Sequence, residues 1–420
     1  MKHLAATIIL LIAFFSLTAQ TVETDTLRSN KPTNWRVSLL TCGPGKEIYQ
    51  LEGHSALRLR ALNPDSTTID CVANWGVFDF ASPGFVYRFV KGETDYMLGI
   101  SDFDRFIYPY QLEQRWVVEQ DLDLTEQQAE KVAMFISENF KPENRIYRYN
   151  YIHDNCATRP LEIIEKAIGD TIALSMPQAE LIENATFRGN MQVYHKGYPW
   201  YQFGIDLALG SDLDAPISTR EMSFAPLALM DMVSLAKING RPLVKETVEL
   251  LHGNPEATRL PDTPWWLSPL FVSILLAVIT LAISVFDVLG CRLTKWFDTI
   301  LYLIFGLAGS LITFLVFFSV HEPASPNWLL LWLNPLCFIV PIFIWTKKTN
   351  RLVMCYQIAN FVALICMAVI WIFSIQKPNP AFVPLLLVDA MRSITYLIVY
   401  KCQPKSRRGK NQYRVNYYAR

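Results

Sequence analysis

Along the chain, the spacing of apolar residues changes character near residue 264. From residue 20 to about 263, apolar and polar positions interleave in short runs, as half-buried strands and amphipathic helices require. From 264 to 400 the chain is nearly all apolar. Five segments there, 265–288, 296–320, 328–345, 352–375 and 382–400, have the length of membrane-crossing helices, which must cover about 30 Å of hydrocarbon. Tryptophans at or near several of their ends suit the membrane interface.

Within the first part, strands are expected over 34–41, 54–61, 67–77, 95–100, 116–122 and 145–152. The turn signals are Gly43-Pro44-Gly45 and Asn63-Pro64-Asp65-Ser66. A short helical piece is expected over 85–90, and a longer helix from Thr125 to about Asn139, opened by a capping box with Gln128. A further helix is expected from about Asn155 to Ala167, stopped by Gly169. Residues 170–260 read as loops and short helices. The fold class is therefore α+β, a small antiparallel sheet with helices beside it, followed by an all-α five-helix transmembrane domain.

The ends of the chain give the topology. Met-Lys-His, an apolar run over 4–17 and Thr18-Ala19-Gln20 have the order of a secretory signal peptide, cut near Ala19 or Gln20. Placing residues 20–263 outside puts Arg292, Lys295, Lys347, Lys348, Arg351 and the basic tail on the inside. The expected divisions are 1–19 signal peptide, 20–263 exported domain, 264–400 transmembrane domain and 401–420 basic cytoplasmic tail. Overall the chain of 420 residues carries 38 basic and 38 acidic side chains, a balance that points to no nucleic-acid partner. Asp389 and Arg392 share a face of the last span and read either as a structural ion pair or as a functional mark. The loop from His321 to Asn327 would lie on the exported side, where it either shapes a site or merely connects.

Three cysteines, Cys42, Cys71 and Cys156, fall in the exported part. Cys42 and Cys71 lie on candidate strands and can be imagined as a bridge, which leaves Cys156 free. Cys156 stands in Asp154-Asn155-Cys156-Ala157-Thr158-Arg159, where a strand-like segment meets a helix. Unpaired N–H groups and the helix dipole lower a thiol's pKa there and can hold an oxyanion. A buried structural cysteine is the plainer alternative. A thiol nucleophile needs a base, and His54 at the start of a strand and His153 nearby are both candidates. No spacing suggests a metal site.

Gly53-His54-Ser55-Ala56-Leu57-Arg58 on a strand, with Asn155-Cys156 opening a helix downstream, resembles the permuted papain-like (NlpC/P60-like) arrangement, in which histidine precedes cysteine. It is similar to the lecithin retinol acyltransferase and phospholipid-dependent N-acyltransferase group. A closer resemblance, to the Lnb family of bacterial lipoprotein N-acyltransferases, covers nearly the whole chain. It rests on an ordered set: Thr41-Cys42-Gly43-Pro44-Gly45, the His54 motif, Asn74-Trp75-Gly76-Val77-Phe78-Asp79-Phe80, Pro142-Glu143-Asn144-Arg145, the Cys156 motif, then Asn327-Trp328 and Leu331-Trp332-Leu333-Asn334-Pro335.

This resemblance implies that His54 and Cys156 carry the chemistry, with Asn74 or Asp79 orienting the histidine. It implies a membrane phospholipid as acyl donor, a diacylated lipoprotein as acceptor and no cofactor. It places the protein in the inner (cytoplasmic) membrane with its catalytic domain in the periplasm. On that mechanism Asn155 is a candidate to help hold the oxyanion, and Arg58 or Arg159 to meet a phosphate; each has a structural salt bridge or cap as its alternative. Competing readings are a membrane-tethered cysteine peptidase of cell-wall peptides, a phospholipase, and an envelope protein that only binds.

Overall fold

The structure is a computed structural model, and it describes residues 32–63, 65 and 67–402. The expected signal peptide and nearly all of the basic tail lie outside the described residues. Two compact units emerge. One comprises residues up to Gln202, Asp212–Thr263 and Leu315–Ser325; the other comprises Phe203–Ser211, Pro264–Phe314 and the chain from Pro326 onward.

The first unit is built on an antiparallel sheet. Its strands are β1 (Thr33–Cys42), β2 (His54–Leu62), β3 (Thr68–Val77), β4 (Asp95–Asp102), β5 (Val117–Leu122), β6 (Ile146–Arg148) and β7 (Val244–Leu251). They lie in the order β7-β5-β1-β2-β3-β4-β6. Central β1 is buried continuously from Val37 to Cys42, because both of its faces are covered. One face carries Leu39, Leu57, Leu59, Ala73 and Trp75 against α3 (Glu126–Phe140) and α4 (Thr158–Ile168), which contribute Val132, Ile136, Leu161 and Ile164. The other face carries Leu40, Cys42, Ala56 and Val72 against Phe106 of α2 (Phe103–Leu112). A short helix, α1 (Phe85–Lys91), connects β3 to β4.

Most local signals act as their chemistry demands. The Thr125–Gln128 capping box forms on α3, and Gly169 ends α4 at φ 66°. Strand β6 stops at Arg148, short of the expected 152, because the chain folds into a tight loop in which Asn150 and Asp154 exchange backbone bonds. Edge strand β7 falls where only loops and short helices were expected. It is mostly solvent-exposed, so it has no apolar alternation to reveal it. A bridge between Cys42 and Cys71 does not form: both are free thiols. Cys42 is paired with His54 across the β1–β2 ladder, whereas Cys71 lies opposite Leu59 on the far side of β2. That offset puts their α-carbons well beyond the ~7 Å limit for a disulfide.

In the second unit, four helices are long and apolar enough to cross a membrane: Pro269–Leu289, Lys295–Phe317, Lys347–Ile372 and Phe382–Cys402. The third expected span is a shorter apolar helical stretch, Trp328–Phe343, and it is irregular. Residues 328–343 break into turns Trp328–Leu331 and Pro335–Phe338 and a short helix Ile339–Phe343. Pro335 has no N–H, and the Asn334 side chain accepts from Leu336 N–H while donating to the Leu330 carbonyl. Irregular backbone at membrane depth must be buried in protein. Here it packs so closely on Gly309 that a Cβ there would stand 2.2 Å from the Asn334 nitrogen.

Candidate active site

His54 is the first residue of β2, and the residue before it must be glycine. Gly53 has φ 79°, and a Cβ there would lie 2.6 Å from the Cys42 carbonyl oxygen. Its neighbour Asn74 is on β3. The Asn74 side-chain oxygen lies 2.6 Å from His54 Nε2, which leaves the ring's other nitrogen for the thiol. Just beyond Asn74 the β3–β4 register slips, and Gly76 turns through φ 92°. Such a bulge re-aims a strand beside a site. A Cβ on Gly76 would touch Tyr149 and the Cys156 Cβ.

Cys156 closes the loop ahead of α4. The helix begins at Thr158 with Ala157 as its cap, later than the expected Asn155, so Cys156 precedes the first turn. The Asn155 side chain still caps: its oxygen accepts from the Ala157 and Thr158 N–H groups at 2.7 and 3.0 Å. Its amide donates to the Tyr151 and Phe224 carbonyls. The side chain thus holds the loop, which is the cap alternative for this residue.

Cys156 faces His54, Ser55 and Tyr149, and these three groups set its acidity. Burial works to raise the Cys156 thiol's pKa. The charge and hydrogen bond of His54, with the bonds from Ser55 and Tyr149, outweigh it, and the net direction is down. For His54, burial works to lower the pKa, and the facing Cys156 with the Asn74 bond raises it overall. Both shifts run in the direction of thiolate and imidazolium. The two other exported thiols behave oppositely: burial pushes Cys42 up to about 12 and Cys71 up to about 11. Tyr149 is held well above the usual phenol range by burial, so it stays a donor.

A second layer ties the two reactive segments together. Glu52, two residues before His54, accepts from the Tyr151 hydroxyl at 2.5 Å, and Tyr151 is five residues before Cys156. Buried His195 sits 3.4 Å from the same carboxylate oxygen. Tyr149, Tyr151 and Glu52 have no sequence signal beyond proximity to the two motifs, because their roles depend on chain segments far apart in sequence.

The remaining candidates have other partners. Asp79 accepts from the Ala81 N–H in a turn. His153 is exposed, its ring edge-on to Phe187. Arg58 is bound by Asp70 and Glu119 and lies 3.4 Å over the Phe103 ring. Arg159 is paired with Asp154 and lies 3.6 Å over Tyr147. Each guanidinium is thus paired with a carboxylate, the salt-bridge alternative to meeting a phosphate. His321 bonds to the Phe89 carbonyl, and Glu322 accepts from the Asn150 side chain. Among the described residues, no group of three or more His, Cys, Asp or Glu is placed to hold a metal ion.

Comparison with known families supplies the frame for this geometry. Residues 23–186 match the Lnb N-terminal periplasmic domain, and residues 261–403 match the Lnb transmembrane domain. The chain belongs to the Lnb family. No curated protein and no solved structure matches. Lnb membership makes this an acyltransferase-type enzyme with a lipoprotein-related role at a membrane, its N-terminal domain periplasmic. The periplasmic match contains His54, Asn74 and Cys156.

Proposed function

We propose that the protein is a lipoprotein N-acyltransferase of the inner (cytoplasmic) membrane, with Cys156 as nucleophile, His54 as base and Asn74 as the group that orients His54. The observation that carries this reading is the part-buried Cys156–His54–Asn74 array, with its Nε2–Asn74 contact of 2.6 Å, in a chain of the Lnb family. On this reading residues 1–19 are a signal peptide, 20–263 the periplasmic papain-like catalytic domain, 264–400 the transmembrane domain and 401–420 a cytoplasmic tail.

The Cys156 thiolate attacks the ester carbonyl of a phospholipid acyl chain. The tetrahedral oxyanion is met by the Cys156 backbone N–H and the Tyr149 hydroxyl, since Asn155 has taken the Ala157 and Thr158 N–H groups. The carbon–oxygen bond then breaks. His54 gives its proton to the departing lysophospholipid oxygen, and a thioester remains. The α-amine of a diacylated lipoprotein's first residue attacks the thioester, giving an amide. His54 takes the amine proton, and Cys156 leaves as thiolate. An α-amine titrates near pH ~8, so a usable fraction is neutral at neutral pH. Both substrates are anchored in the bilayer at about 0.8 kcal/mol per buried CH₂. The enzyme must therefore meet them at the membrane surface.

The test is mass spectrometry of a native lipoprotein's N-terminal peptide from cells holding this protein or its Cys156→Ala form at equal abundance. Loss of the amide-linked chain with Cys156→Ala is the expected result. Persistence of that chain, with no other acyltransferase present, overturns the reading.

A further inference from the structure

We propose that the exposed aromatic face formed by α1 and the turn before it is the footing of the exported unit on the lipid surface, and that phospholipid reaches Cys156 from there. Phe80 is 60% exposed and Val86 is 73% exposed, and Tyr49 and Phe89 are exposed beside them. These side chains form one patch. Phe80 packs 4.4 Å from Phe78 and 5.0 Å from Phe85, and Tyr49 touches both Phe78 and Phe80. A contiguous exposed apolar patch is a contact surface more often than an accident.

The patch also runs inward. Phe78 meets Tyr96 at 5.0 Å, Tyr96 meets Tyr149 at 4.6 Å, and Tyr149 stands beside Cys156, so that a Cβ on Gly76 would touch both. Surface and nucleophile are two ends of one line of touching rings.

Two observations select lipid as the occupant. The first is the tether. Within this unit, Val320 N–H donates to the Lys91 carbonyl and the His321 ring bonds to the Phe89 carbonyl, each at 2.9 Å, pinning this segment to the C-terminal end of α1. In sequence, Val320 comes three residues after the end of Lys295–Phe317, a helix long and apolar enough to cross a membrane. So short a tether keeps α1 from moving far from the bilayer surface. The second is composition: exposed aromatic residues share α1 with Arg88 and Lys91, the mixture that favours the headgroup layer. That is also the depth of a phospholipid's ester bonds, the bonds the proposed thiolate must reach. The inference rests on the acyl-transfer reading for the use made of the lipid, not for its presence.

The experiment places the photo-crosslinker p-benzoylphenylalanine at Phe80 or Val86 in the full-length Cys156→Ala protein. Nanodiscs of phosphatidylethanolamine and phosphatidylglycerol supply the lipid. Leu281, in an apolar helix, is the positive control, and Met134, exposed on α3, is the negative one. Phospholipid adducts at 80 and 86 several-fold above those at 134 are expected. Adduct yields at 80 and 86 no higher than at 134 overturn the proposal. Because this form lacks the nucleophile, lipid adducts can stand even if acyl transfer fails. In the active protein, Phe80→Asp and Val86→Asp are expected to raise the apparent KM for phospholipid several-fold with kcat and melting temperature unchanged. An unchanged KM in both overturns the route to Cys156.

Discussion

Each of the two units holds a polar cluster, and the clusters differ in kind. In the exported unit, His54 and Asn74 are bonded across neighbouring inner strands and His54 faces Cys156, an arrangement that raises the His54 pKa and lowers that of Cys156. In the other unit, Arg392 is bound by Asp298 at 2.5 Å and Asp287 at 2.8 Å, with the Ser284 hydroxyl alongside. Asp389 is separate from it, accepting from Tyr302 and Asn360 at 2.7 and 2.8 Å. Asp389 and Arg392 are therefore not a pair, although they share a helix. Burial demands that charge be matched in both units. On the proposed reading, the first cluster is reactive because one member is a thiol presented ahead of a helix, with a base held from behind by Asn74. The Arg392 cluster instead joins three helices, a structural use of the same physics.

The largest expected effect breaks this contrast at its centre. Cys156→Ala removes the nucleophile and is expected to lower acyl transfer by about 10⁶-fold, the scale seen when a nucleophile is deleted. Its melting temperature should stay near wild type. If Arg392→Leu lowered turnover as much while the melting temperature held, the assignment of roles would be reversed.

Arg392→Leu is expected to act on stability instead, by about 3–5 kcal/mol, because Asp287 and Asp298 are left buried without their cation. Melting in detergent reads this directly. Replacing all three residues by apolar ones of similar volume should recover most of the loss. A triple variant as unstable as the single one would show that the cluster does more than join helices.

Asn74→Ala is expected to lower kcat by roughly 10²-fold, at the low end of what an oriented base contributes. It should also move the pH dependence of Cys156 alkylation. The Asn74 bond raises His54, and the His54 charge lowers Cys156. Without Asn74 the thiolate forms at higher pH, so the alkylation curve shifts upward. Cys42 and Cys71, pushed up to about 12 and 11 by burial, should stay unmodified at neutral pH and leave the readout to Cys156 among the exported thiols. A curve that stays in place would remove Asn74 from the array.

Tyr151→Phe is the smallest change. Losing its hydroxyl from the buried Glu52 carboxylate should cost about 1–3 kcal/mol of stability. It should also lower kcat more than it raises KM, since Glu52 and Tyr151 tie the His54 and Cys156 segments together. Equal melting temperatures would show that this tie carries no strain.

The order of apolar and polar positions along the chain determined much of this protein by itself. A 3.6-residue period, a capping box at Thr125 and Gly169 after Ile168 are local events, so helices α3 and α4 were legible. The division near residue 264 was legible because a membrane span requires an unbroken apolar run. Tertiary structure alone decided three things. Strand β7 exists because it pairs along β5, not because its own side chains bury. Residues 328–343 are as apolar as a span, yet Pro335 and the close approach to Gly309 break them into turns. That Asn74 and not Asp79 meets the His54 ring depends on which strands lie side by side. Sheet register brings residues distant in sequence to within 2.6 Å, and no local pattern encodes that distance.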